Sequence, residues 1–227
     1  MATPAPTAAE VEAGQRVYSP LVLAGYDLFV VRFSNRFVWR CPWPRMLAAS
    51  ERHIGARHLD AGVGTGLFLD RCRWPVERPE ITLLDLNPNS LRAAARRIRR
   101  FEPRTVEANV LEPVELGEAR FDSIGLNYLL HCLPGSIEEK SAAVVRTLGP
   151  HLAPGGVFFG STILGRGVRH NALGRRLQSV YNRRGIFSNL EDDREGLVRG
   201  LAVLSADEVD VVGAVALFSA RAHDAER

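Results

Sequence analysis

A chain of 227 residues, 46% of them hydrophobic, has enough apolar material to bury one substantial core, the scale of a single α/β domain. Its 29 basic and 26 acidic residues leave a net charge of only +3, a weak basis for polyanion binding, and no apolar run reaches the length of a membrane span. Three scattered cysteines (Cys41, Cys72, Cys132) argue against a disulfide framework or a zinc site, and Lys140, the sole lysine, excludes a Walker A loop and argues against Schiff-base chemistry.

Residues 1–16 form a polar, Pro/Ala-rich arm, expected to be flexible; they lack the regions of a secretory signal, so a cytoplasmic location is expected. Residues 17–53 are rich in apolar and aromatic groups, among them Tyr18 and Tyr26. They read as a helical lid over a pocket or as an ordinary helix packed on the sheet. The lid is favoured, because strand-helix alternation begins only at residue 54.

From there a short apolar run leads into His58-Leu59-Asp60-Ala61-Gly62-Val63-Gly64-Thr65-Gly66, and an apolar-periodic segment follows: strand, tight turn, helix start. Glycine tolerates φ > 0 and lets a ligand approach the backbone, so the loop reads as a nucleotide cradle, or more blandly as a Gly-rich turn. A dinucleotide fingerprint would be G-x-G-x-x-G/A, and Leu67 stands where the last small residue belongs. Asp60, on the strand side, would repel a pyrophosphate but suits a ligand with an ammonium or a sulfonium. S-adenosylmethionine carries both. The next strand, 80–87, delivers Asp85 about 20 residues beyond the glycines, where an acid can accept from ribose hydroxyls. Taken alone, it reads as a turn carboxylate.

Asn87-Pro88-Asn89-Ser90 is an N-cap signal for a helix in which Leu91, Ala94, Ala95 and Ile98 share one face and Arg92, Arg96, Arg97, Arg99 and Arg100 lie outside, a solvated face rather than a nucleic-acid patch. A third strand (104–107) leads to Asn109-Val110, where an amide oxygen can read an adenine amino group and a valine can pack on its ring; an Asx turn is the competing reading. The fourth strand (121–127) runs into Tyr128 and His131 at the carboxyl edge of the sheet, where open α/β sheets bind ligands. His131 is either structural or substrate-facing. A helix (138–152) and a fifth strand (157–164) precede a long connection (165–190) holding His170 and Tyr181, with 173–181 helical. A helix (193–204) and two strands about a Gly-Ala hairpin (209–221) complete a mostly parallel sheet with an antiparallel edge strand.

The strings H-L-D-A-G-V-G-T-G, L-L-D-L-N, A-N-V-L-E-P, F-D-S-I-G-L-N-Y-L-L-H-C-L-P-G and L-A-P-G-G-V-F-F-G together resemble a class I S-adenosylmethionine-dependent methyltransferase. More narrowly they resemble the small UbiE-like or YbcY-like type, whose N-terminal Y-S and W-R-C-P elements also occur here. The resemblance implies a Rossmann-like, seven-stranded, mostly parallel α/β sheet with an antiparallel C-terminal strand and the helical lid. Over residues 17–227 it implies one domain, the lid (17–53) and the cofactor-binding core (54–227). It further implies that Gly62, Gly64 and Gly66 hold the methionine part with Asp60 nearby, and that Asp85 takes the ribose. Leu86 and Val110 would sandwich adenine, Asn109 would read its amino group, although many members have aspartate there, and Asn127 would lie near the methionine end. His131 becomes the candidate base, with Tyr18, Tyr26, His170 and Tyr181 as substrate contacts and no metal. The activity implied is methyl transfer to a small-molecule acceptor in specialised metabolism, by a monomer or homodimer with neither nucleic acid nor membrane as partner. A nicotinamide-dependent oxidoreductase, disfavoured by Leu67, and an adenosylmethionine-binding protein without transfer, a scaffold or pericyclase-like catalyst, are the alternatives.

Overall fold

A computed structural model describes residues 27–222, so Tyr18, Tyr26 and the expected arm lie outside the described part. The strands are β1 (Arg57–Ala61), β2 (Glu80–Asp85), β3 (Arg104–Glu107), β4 (Phe121–Asn127), β5 (Leu152–Ile163), β6 (Ser205–Val212) and β7 (Val215–Arg221). They form one sheet in the order β3-β2-β1-β4-β5-β7-β6. β1 to β5 pair in parallel, and only β7 runs against its neighbours. β1, β2 and β4 are buried along most of their length, as expected of parallel strands covered on both faces.

The helices are α1 (Asp27–Val38, wound as a π-helix), α2 (Trp43–Glu51), α3 (Leu67–Arg71), α4 (Pro88–Arg97), α5 (Ile137–Leu148), α6 (Ala172–Arg183) and α7 (Arg194–Leu201). Local chemistry sets their starts. Asn87 accepts from the Asn89 amide ahead of α4 with Pro88 in the first turn, Ser136 and Glu139 form a reciprocal capping box on α5, and Asp193 accepts from the Gly196 amide on α7. α5 stops at Leu148, short of the expected end, because Pro150 in the following turn has no N–H to continue the helix. β5 starts at Leu152, five residues earlier than its apolar run, since Leu152 already pairs with Phe121 before a register shift absorbs Ala153 to Gly156.

One face of the sheet packs Leu59, Leu126 and Phe158 against Ile137, Val144 and Leu148 of α5 and Leu197 and Leu201 of α7. The other packs Leu83 and Phe159 with Leu69, Leu91, Ala94 and Ile98 around α3 and α4. A third cluster lies at the carboxyl edge. There Val38, Trp39, Cys41 and Met46 meet Ile163, Val215 and Leu217, with Phe68, Tyr128, Leu177 and Phe187 packed around them. The N-terminal segment is pinned to that edge by the Ala214 amide, which donates to the Trp39 carbonyl at 2.8 Å.

Candidate active site

β1 ends against a loop in which Gly62, Gly64 and Gly66 all have left-handed φ, at +73°, +50° and +72°. Two of these positions explain themselves. A Cβ on Gly66 would stand 2.9 Å from the Ala94 Cα, so glycine lets α3 close on α4. Among the described residues a Cβ on Gly64 would meet nothing within 4 Å, so the backbone there faces open space. The Gly62 amide donates to the Leu84 carbonyl at 2.8 Å, tying the loop to β2.

Asp85 closes β2 and turns toward the same loop, accepting from the backbone N–H groups of Asn87 (2.8 Å), Gly64 and Val63. Burial nevertheless raises its carboxyl from the ordinary value to about 6. Three donors leave lone pairs unused on a carboxylate. Asp60 is only 6% exposed. Beside it, Ser123 Oγ accepts from the Gly55 amide at 2.8 Å and lies 2.8 Å from His58 Nδ1, and the other His58 ring nitrogen faces Asp60 Oδ1 at 3.8 Å. These residues fit an adenosyl sulfonium: an exposed backbone cradle, an acid for ribose and a second acid beside the glycines.

Leu86 is half-buried beyond β2 and Val110 is buried beyond β3, the two positions expected to flank adenine. Asn109 makes the Asx turn: its Oδ1 accepts from the Leu111 amide at 3.1 Å and its amide donates to Glu112 at 2.8 Å. Asn127 is held between elements, its Oδ1 accepting from Ser161 Oγ and its amide donating to Ser50 of α2.

His131 lies in a short turn after β4 and is 3% exposed, ringed by Tyr128 and by Phe187 at 4.5 Å. Its Nδ1 accepts from the Ile163 amide at 3.4 Å. Burial, with the nearby Lys140 charge, lowers its pKa to about 3, so the ring stays neutral at physiological pH. Tyr181 stacks edge-on against Phe187 at 4.9 Å, and His170 Nε2 lies 3.0 Å from the Leu164 carbonyl, with its ring edge-on to Trp39. The structure thus brings His131, Tyr181 and His170 to the one aromatic edge where the N-terminal segment docks.

Three features escaped the sequence reading. Arg97, expected on the solvated face, reaches back to donate to Thr65 Oγ1 in the glycine loop at 3.0 Å. Tyr128 has φ of +61°, rare for a non-glycine residue, and its hydroxyl donates to buried Asn35 at 2.8 Å, joining β4 to α1. Lys140, 2% exposed, pairs with Asp192 at 2.7 Å and donates to the Ser188 and Leu133 carbonyls. The last carried a sequence signal, a cation on the face of α5 shared by Ile137, Val144 and Leu148.

A family described as "Methyltransferase domain" matches residues 59–158, from β1 into β5. Demethylluteothin O-methyltransferase of Streptomyces thioluteus is 45% identical over 199 residues, covering 85% of this chain and 84% of that protein. The chain belongs to the methyltransferase family. This methyltransferase is also 39% identical to the physcion biosynthesis cluster O-methyltransferase of Aspergillus chevalieri, over 95% of its own length and 97% of the relative's. Its fold matches the DhpI–SAH complex, where SAH is S-adenosylhomocysteine, with a TM-score of 0.66 at 16% identity, covering 96% and 99% of the two chains. It is therefore a class I, S-adenosylmethionine-dependent enzyme of small-molecule methylation, with the Rossmann-like sheet expected from its sequence. Membership replaces the nicotinamide alternative. Among the described residues no helix is long and apolar enough to cross a membrane.

Proposed function

We propose that the methyltransferase methylates an oxygen nucleophile of a specialised metabolite, in a site formed by the glycine loop, Asp85 and the aromatic edge beyond β4 and β5. The observation carrying the site is that Asp85 accepts from the Gly64 and Val63 amides of a left-handed glycine loop whose outer side is open. Relatives named as O-methyltransferases support oxygen, and physcion biosynthesis in one of their names supports specialised metabolism.

When bound, the cofactor supplies a methyl carbon already activated by a sulfonium. Asp85 accepts from the ribose hydroxyls, Asp60 sits by the methionine amino group, and Gly62, Gly64 and Gly66 admit the methionine part against bare backbone. Leu86 and Val110 flank adenine, and Asn109 offers its amino group the second lone pair of Oδ1. Asn127 borders the methionine end. Residues 27–53, the described part of the lid expected over 17–53, dock through Trp39 and the Tyr128–Asn35 hydrogen bond. Holding the nucleophile in line about 3 to 3.5 Å from the methyl carbon supplies most of the acceleration.

His131, His170 and Tyr181 line the acceptor end. With Nδ1 accepting from Ile163, His131 carries its proton on Nε2 and acts as a neutral donor rather than as a base. Burial also lowers His170 and raises Tyr181, which leaves the imidazole neutral and the phenol protonated. A hydroxyl that ionises readily, such as a phenol or enol conjugated to a carbonyl, suits these surroundings. Several exposed arginines are paired with carboxylates (Arg57–Asp122, Arg73–Glu51, Arg100–Asp70, Arg199–Glu138), which reduces the free positive charge and supports a reading without a nucleic-acid partner. The deciding experiment is calorimetry with S-adenosylhomocysteine: Asp85→Ala weakens binding at least tenfold, whereas unchanged affinity moves the cofactor elsewhere.

A further inference from the structure

Among the described residues, two buried polar atoms in the connection after β5 have no hydrogen-bond partner, the Nε2 of Gln178 and the Nδ1 of His170. Gln178 is 5% exposed, and an orphaned buried amide weakens a fold by about tenfold in its equilibrium constant, so a retained one calls for a reason. Its position supplies one. Gly174, Gln178 and Tyr181 fall on one stripe of α6, and the adjacent Leu177 packs with Trp39, Phe68, Tyr128 and Phe187 at the carboxyl edge. A Cβ on Gly174 would lie 3.5 Å from His170 Nδ1, which places that nitrogen on the same stripe. Because His170 Nε2 faces the Leu164 carbonyl at 3.0 Å, Nε2 carries the proton and Nδ1 presents a lone pair. The stripe therefore offers two amide hydrogens from Gln178 and one lone pair from His170, all desolvated and all unused.

We propose that Gln178 and His170 are the specificity-determining pair of the acceptor pocket, taking a compound that presents a carbonyl-type oxygen to the Gln178 amide and a hydroxyl or N–H to His170 Nδ1. The proposal rests on the acceptor site lying against α6, and names the polarity that the site reads. A ligand lacking the oxygen leaves the amide orphaned, which is how buried polar groups discriminate strongly between analogues. The donors are preorganised on a helix, so selection comes from desolvation that the protein has already undergone.

The test uses the full chain, Gln178→Leu and, as a second variant, Gln178→Glu, which keeps the size and loses the donors. Without any ligand, Gln178→Leu raises Tm by about 2–4 °C, because it removes an unsatisfied group at nearly constant volume. Transfer of labelled methyl is then followed on phenol, resorcinol and 2,4-dihydroxyacetophenone, whose second hydroxyl keeps a proton for His170 when the first is ionised. Wild type favours 2,4-dihydroxyacetophenone over resorcinol at least tenfold in kcat/KM, and both variants erase the preference while binding S-adenosylhomocysteine as before. A lower Tm for Gln178→Leu, a wild type with no preference or no turnover on the panel, or variants that keep the preference overturn the assignment. Failure of the wild type to bind S-adenosylhomocysteine would instead overturn the cofactor site.

Discussion

With Asp85 in its proposed role on the ribose, its raised pKa should make cofactor binding pH-dependent. Burial holds the free enzyme's Asp85 near 6, while a diol donating two hydrogen bonds requires the ionised form. For a pKa of about 6, the ionised fraction rises from about one in eleven at pH 5 to about ten in eleven at pH 7, so affinity for S-adenosylhomocysteine rises about tenfold, or about 1.4 kcal/mol. The sign for stability is opposite. An acid whose folded pKa is raised binds an extra proton in the native state between its ordinary value and about 6, so its contribution to the free protein's stability falls as pH rises through that window. Ligand binding cancels that loss, and the thermal shift caused by S-adenosylhomocysteine grows from pH 5 to pH 7. Calorimetry near pH 6, in buffers of different ionisation enthalpy, should show about half a proton released per ligand bound. Asp85→Asn should weaken binding at pH 7 and flatten the dependence. A wild type with constant affinity over this range and no proton release refutes the ribose role of Asp85.

Gly64→Ala should cost only about 1–2 kcal/mol of stability, since its Cβ meets nothing, yet abolish cofactor binding in calorimetry; retained binding would show that the open side of the loop is not the cradle. Gly66→Ala adds a collision with α4 to the strained φ and should lower Tm well beyond Gly64→Ala in the same scan. Lys140→Met strands Asp192 without its partner, an expected loss of about 3–5 kcal/mol by urea denaturation that Lys140→Met with Asp192→Leu should largely restore. Burial already raises Asp192 to about 6 despite its cation, so the single variant should be least unstable under acid conditions, where the stranded carboxyl is protonated. His131→Asn should leave the acidic limb of the kcat profile in place, because His131 titrates only near 3; a limb near 6.5 that vanishes in the variant restores it as the base.

The glycine loop and the strand-end acid, the part of the molecule proposed to hold the cofactor, were legible in the sequence because their geometry is local. Three glycines at alternate positions, an acid at the end of the following strand and a Pro-bearing N-cap each act within a few residues, and the alternation of apolar runs determined the parallel sheet and its reversed strand. Boundaries slipped where tertiary pairing overrode composition, as at Leu152, which joins β5 only because Phe121 stands opposite. The environment of the residues proposed to face the acceptor was decided by the tertiary structure. Whether His131 is a base or a neutral donor depends on desolvation by Phe187, 56 residues further along the chain, and on the amide of Ile163. Arg97 could be read as solvated until α4 was placed beside Thr65, and Gln178 looks like any surface glutamine until α6 is laid over the sheet's edge. Dihedral preference and hydrophobic period are written residue by residue. Burial, and with it the charge state and hydrogen-bonding demand of a side chain, arises only when distant segments close over it.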